Sequence, residues 1–155
     1  MVSDTPTNFT REEMIHRAFL RIARNIHDLW EETGHSDTRL FLEPLIPRSF
    51  VIVGQSKAGG YYNEHVVPRV VILRKCHEMF ANGESIEAVA EFIRKFLQIV
   101  LISNAEQGKL DLNFKQKMPD GWSFESGDVF QRLRSADIDF DLRALLVVKV
   151  EEDKL

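Results

Sequence analysis

Residues 49–68 read SFVIVGQSKAGGYYNEHVVP, and this stretch decides the fold. Ser49 to Val53 is aromatic and β-branched, the composition of a pleated, half-buried strand. Gly54 to Gly60 then reads as a turn, and Tyr61, Tyr62 and Asn63 as a returning strand. The spacing predicts a β-hairpin whose loop is longer than the commonest two residues. Pro68 suits the first position of a helix, where its missing amide would have been unpaired anyway. A strand pair feeding directly into a helix predicts an α+β chain.

Upstream, Thr10 and Glu13 form a capping box. Ile15, Ala18, Phe19, Ile22, Ala23, Ile26, Leu29 and Trp30 follow at helical spacing, the stripe of a core-facing helix that stops near Gly34. Arg39 to Leu45, closed by Pro44 and Pro47, is ambiguous. Downstream of Pro68, Val70 to Phe80 continues as a helix to Asn82–Gly83, and Ser85 caps the next one. Ile99 to Ile102 is a compact strand, and Asn104 to Leu110 a short helix or turn. Lys115 to Ser126 is a loop in which Trp122 and Phe124 pin the chain. Asp128 to Leu133 is a helix, and Leu142 to Val150 a closing strand. Residues 1–155 are expected to form a single α+β domain with an N-terminal helix, a β-hairpin, central helices and a small, mostly antiparallel sheet. Residues 1–9 are expected to be flexible.

At 155 residues and 44% hydrophobic, the chain has enough apolar material for one self-sufficient core. The single cysteine, Cys76, forms no internal disulfide and gives no CxxC metal motif, which fits a reducing cytoplasm. Residues Met1 to Asn8 include Asp4 and Pro6 and lack the apolar run of a secretory signal. No apolar stretch approaches the ~20 residues of a membrane helix, so no membrane partner is expected. A net charge of −4 excludes a strongly basic nucleic-acid coat. That charge is uneven: residues 1–77 carry +1 and residues 78–155 carry −5, so an anionic ligand should prefer the first half.

Most enzyme templates fail: there is no GxSxG elbow, no GxxxxGK[ST] phosphate loop and no HExxH. Cys76 and His77 are neighbours on a helix, point about 100° apart and cannot act as nucleophile and base; Cys76 reads as a buried structural residue. The distinctive segment is Tyr61-Tyr62-Asn63-Glu64-His65-Val66-Val67-Pro68. A carboxylate and a histidine side by side at a strand end, followed by two apolar residues and a proline, resemble the first motif of HNH-type (His-Me finger) nucleases. The resemblance implies a divalent metal, magnesium or manganese, held by Glu64, with His65 as the general base that activates water.

It extends to Ile99–Leu110, where the family's second motif runs from a strand into a helix carrying an asparagine and a closing metal ligand. Here that segment offers Asn104 as the further catalytic residue and Glu106 and Gln107, or Asp111, as ligands. No histidine follows His77, so the closing histidine is absent, and residues 68–97 replace the family's short glycine-rich spacer. The likeness covers about 50 of 155 residues and implies a small HNH-like protein, intact or degenerate, that cuts or merely associates with nucleic acid. The plainer reading has His65 packing or capping at a strand-to-helix junction, with Glu64 as a first-turn carboxylate.

Arg48, Lys57, Arg69, Arg74 and Lys75 surround this segment, with Tyr61 and Tyr62 among them. They form either a local basic patch that holds phosphates and stacks a base, or an ordinary charged face over core tyrosines. Asp137, Asp139 and Asp141 alternate with Ile138, Phe140 and Leu142, the period of a strand edge with one wet acidic face. It mimics a phosphate backbone, coordinates a cation, or simply discourages aggregation. The alternatives to nucleic-acid work are a non-catalytic protein-interaction module of phage or mobile-element accessory or inhibitor type, and a structural homo-oligomer. The 11 phenylalanines, more than such a core obviously needs, favour an apolar patch for a protein partner.

Overall fold

Ile99–Ile102 carries no polar side chain and alternates with nothing, a pattern that belongs in the middle of a sheet with both faces covered. The computed structural model, which describes residues 8–143, places it there. The elements in chain order are α1 (Arg11–Thr33), two short 3-10 turns (Thr38–Phe41 and Arg48–Phe50), β1 (Ile52–Ser56), β2 (Tyr62–His65), α2 (Arg69–Ala81), α3 (Ile86–Phe96), β3 (Ile99–Ile102), α4 (Asn104–Phe114), α5 (Gln131–Ser135) and β4 (Phe140–Leu142). They form a single α+β domain. Residues 1–7 and the part of the expected Leu142–Val150 strand beyond Arg143 lie outside the described residues.

The sheet order is β2-β3-β1-β4, and this corrects the expected hairpin. β1 and β2 are consecutive but do not pair. β3 lies between them, antiparallel to β2 and parallel to β1. β4 adds to β1 antiparallel, so the sheet is mixed. The physical reason is burial: Ile99, Val100 and Ile102 are each no more than 3% exposed, whereas β2 carries Tyr62, Asn63, Glu64 and His65 and suits an edge. The glycine segment is therefore a crossing that opens with a turn, closed by Gly59 N donating to Ser56 O at 3.0 Å, and not a hairpin loop. At Gly60 (φ 102°), a Cβ would lie 2.5 Å from the Ile102 carbonyl oxygen, so only glycine lets the chain pass over the end of β3.

The helices follow their local signals. α1 starts with the reciprocal Thr10–Glu13 box, each bond 3.1 Å, and ends on Gly34 at φ 76°. Ser85 caps α3 through the Ala88 amide at 3.0 Å. Pro68 stands one residue before α2, as its N-cap. The inner stripes of α1, α2 and α3 join Val66, Val67 and β3 in one core. Asn104–Leu110, ambiguous between helix and turn, is the start of an 11-residue helix.

The loop after α4 is pinned as expected. Phe124 sits 4.9 Å from Phe96, 5.0 Å from Phe92 and 4.9 Å from Trp122, ring centre to ring centre. The phenylalanines are consumed this way: Phe9 alone of the 11 is exposed, so they do not build an apolar surface patch. The aspartate alternation is an edge only in part. Asp141 lies in β4, but Asp137 has φ 58° and belongs to the preceding turn.

Gly60→Ala is expected to lower stability by about 2 kcal/mol or more, since it combines positive φ with a backbone clash. Gly59→Ala, at φ 80° with open space around it, should cost only about 1 kcal/mol. Urea unfolding of the two variants measures the difference, and equal costs would contradict the crossing geometry.

Candidate functional site

β2 places Tyr62 and Glu64 on one face of the sheet and Asn63 and His65 on the other, and its outer edge faces a cavity of about 1040 Å³. The phase of the ladder is set by Val66, whose amide donates to Gln98 O at 2.9 Å. The backbone groups of Tyr62 and Glu64 consequently turn toward β3, and those of Asn63 and His65 turn outward. α4 contributes through one face: Gln107, Leu110, Asp111 and Phe114 are at helical spacing, with Leu110 buried and Gln107 and Asp111 lining the cavity.

Glu64 is only 8% exposed, and its partner is Arg132, itself 4% exposed, on α5. Arg132 Nη1 donates to Glu64 Oε1 and also to the His65 carbonyl at 3.1 Å, and Arg132 Nε donates to the Phe114 carbonyl at 2.9 Å. One guanidinium thus ties together the edge strand, the end of α4 and α5. Burial raises the Glu64 carboxyl above its ordinary range, against the pull of the Arg132 charge and with a push from Asp111. His65 lines the same cavity, with its Nε2 buried and without a hydrogen-bond partner. Burial, with the Arg69 and Arg132 guanidiniums beside it, lowers its imidazole to about 4.

Of the residues singled out by sequence, the structure brings Glu64, His65, Gln107, Arg48 and Arg69 to this cavity. Arg48 Nη1 donates to Asn63 Oδ1 at 3.1 Å, and Arg69 Nη1 to the Thr38 carbonyl at 3.4 Å. Five others lie elsewhere. Asn104 is exposed at the start of α4. Glu106 closes the capping box with Ser103 and accepts from Ser56 Oγ at 2.8 Å. Burial pushes the Glu106 carboxyl up, but the bonds from Ser103 and Ser56 outweigh it and hold the group below its usual range. That carboxylate is engaged in the helix cap and the Ser56 bond. Lys57 is exposed beyond the end of β1, Arg74 is exposed on α2, and Lys75 pairs with Glu78 at 3.1 Å.

A divalent ion does not fit the donor set. Glu64 already faces a cation, Arg132, which no ion can share at close range without strong repulsion. Gln107 donates to Asp111, and no group of three or more His, Cys, Asp or Glu side chains suited to a metal occurs among the described residues. Glu64 also departs from the plainer reading, since it is a buried ion-pair partner and not a first-turn helix carboxylate.

Sequence reasoning missed Arg132. It stands 68 positions from Glu64 and two from Arg134, which is exposed and paired with Asp128 at 2.7 Å. Only its place beside buried Leu133 sets it apart. Tyr61 is 82% exposed and Tyr62 42%, so neither is a core tyrosine. Cys76 is buried, its thiol pushed up to about 12 by desolvation, and His77 meets Ser36. No family model, curated protein or solved structure matches the chain. No helix among the described residues is long and apolar enough to cross a membrane.

Two measurements test this geometry. Arg132→Met strands a buried carboxylate and is expected to cost about 3–5 kcal/mol, most of which the double variant Glu64→Leu/Arg132→Met should recover. Chemical denaturation of the four proteins gives the coupling, and additive losses would contradict the pair. For His65 the unfolded chain, with an ordinary imidazole near 6.5, takes up its proton before the folded one does. Stability should therefore fall as pH drops from about 6.5 through 4, by about 2–3 kcal/mol at pH near 4.5. His65→Gln should remove that share of the acid sensitivity; an unchanged pH profile would show that the imidazole is not desolvated.

Proposed function

We propose that this protein is a nucleic-acid-associated protein that binds the phosphate backbone and does not cut it through a metal ion. The observation that carries the reading is the charge inventory of the cavity. Arg48, Arg69, Lys115 and Arg132 line it together with Glu43, Glu64 and Asp111. Arg132 neutralises Glu64, whereas Arg48, Arg69 and Lys115 make no ion pair among the described residues. Glu43 and Asp111 are likewise without an ion pair among the described residues, so the lining carries one net positive charge on an acidic protein, and it offers two planar guanidinium forks that can meet phosphate oxygens.

In this reading Glu64 and His65 form a degenerate HNH-like pair. The carboxylate holds Arg132 in place of a metal, and the imidazole is kept neutral by burial and by the charges of Arg69 and Arg132. The acidic remainder of the surface limits nonspecific binding and confines contact to the cavity mouth. Phosphate contacts of this kind give position and affinity without reading sequence.

Fluorescence anisotropy with labelled DNA tests the reading. Arg48→Ala and Arg69→Ala should each weaken binding about tenfold and reduce the salt slope by about one. The wild type should leave plasmid DNA intact with magnesium or manganese. Absence of binding to any oligonucleotide at low salt would remove the proposal, and nicking abolished by His65→Ala would restore the catalytic alternative.

A further inference from the structure

We infer that the ligand of this cavity is single-stranded nucleic acid, its phosphates against Arg48 and Arg69 and its bases stacked on Tyr61 and Tyr62; the inference rests on the phosphate-binding reading of the cavity. Tyrosine rings ordinarily bury most of their area. Here two consecutive rings line the cavity at the edge strand, 82% and 42% exposed. Neither makes an aromatic or cation–π contact among the described residues. Most of Tyr61 and part of Tyr62 are therefore open to a ligand.

Arg48 and Arg69 line the same cavity as those rings. The Asn63 side chain holds Arg48 at 3.1 Å on the face of the sheet opposite Tyr62, so ring and cation alternate along β2. A nucleotide presents the same alternation, an anionic phosphate beside a flat apolar base. A duplex encloses its base faces and offers an exposed ring almost nothing to stack on, whereas every unpaired base has a free π-face. The outward backbone groups of Asn63 add donors and acceptors on the open edge of β2. A volume of about 1040 Å³ is at the upper end for a small-molecule pocket, which suits a short run of nucleotides.

The test is anisotropy with fluorescein-labelled oligo(dT) of about 15 nucleotides and a duplex of the same length at one salt concentration. The proteins are the wild type, Tyr61→Ala/Tyr62→Ala, Tyr61→Phe/Tyr62→Phe and Arg48→Ala. The single strand is expected to bind at least tenfold more tightly than the duplex. The double alanine variant should lose about tenfold or more for the single strand and leave the duplex unchanged, while the double phenylalanine variant, which keeps the rings, stays within about threefold. Duplex binding as tight as single-strand binding, or an alanine variant with unaltered oligo(dT) affinity, overturns the inference. If Arg48→Ala then weakens both ligands alike, the phosphate reading survives alone. If the wild type binds neither oligonucleotide, both fall.

Discussion

The buried ion pair of Glu64 with Arg132 is the constraint on which the site depends. It joins the edge strand to a helix 68 positions away and takes in the His65 and Phe114 carbonyls through the same guanidinium. Such a pair adds little net stability over an apolar replacement of equal volume, yet breaking it from one side is expensive, because a lone charge remains in a dry place. Its value is geometric. It fixes where the end of α4 and α5 lie against β2, and hence where Gln107, Asp111 and Lys115 stand around the cavity.

The sheet topology determines what that cavity can present. An all-apolar β3 takes a central position and sends β2 to the edge, where the His65 carbonyl accepts from Arg132 and two tyrosines stand exposed. Had β1 and β2 formed a hairpin, Gly60 would sit in a turn and not against the backbone of Ile102, and β3 would no longer be enclosed on both sides. The edge position also explains the charge pattern. Cations around an open edge discourage strand-to-strand aggregation, and the same cations are available to an anionic ligand.

Much of the fold was legible because its signals are local. The Thr10–Glu13 box, Gly34, Ser85 and the helical stripes depend on residues within one or two turns, and each stands as its spacing predicts. The pinning by Trp122 and Phe124 was legible for a related reason: large aromatic rings in a loop have few places to go but the core. The hairpin reading failed because strand pairing is a competition among all strands. The glycine-rich run fits a turn equally well whether or not another strand slips between its arms. Within the site, Glu64 and His65 stood out as neighbours with chemistry. Glu106 was misplaced because proximity in sequence to Gln107 says nothing of helix face: residues one apart on a helix point about 100° away from each other. Asn104 shares a face with Gln107 but stands a turn earlier, exposed at the start of α4.

By itself the sequence determined that this is an α+β chain with capped helices, an apolar central strand and one polar segment rich in chemistry. Those features follow from the periodicity and composition of short windows. Only the tertiary structure decided that the Glu64 carboxylate meets a guanidinium, that Glu106 is spent on a helix cap, and that the tyrosines face a cavity. Each of these depends on what lies across space from the residue. A carboxylate reads the same along the chain whether its partner is a metal ion, an amide or an arginine, and only packing selects among them.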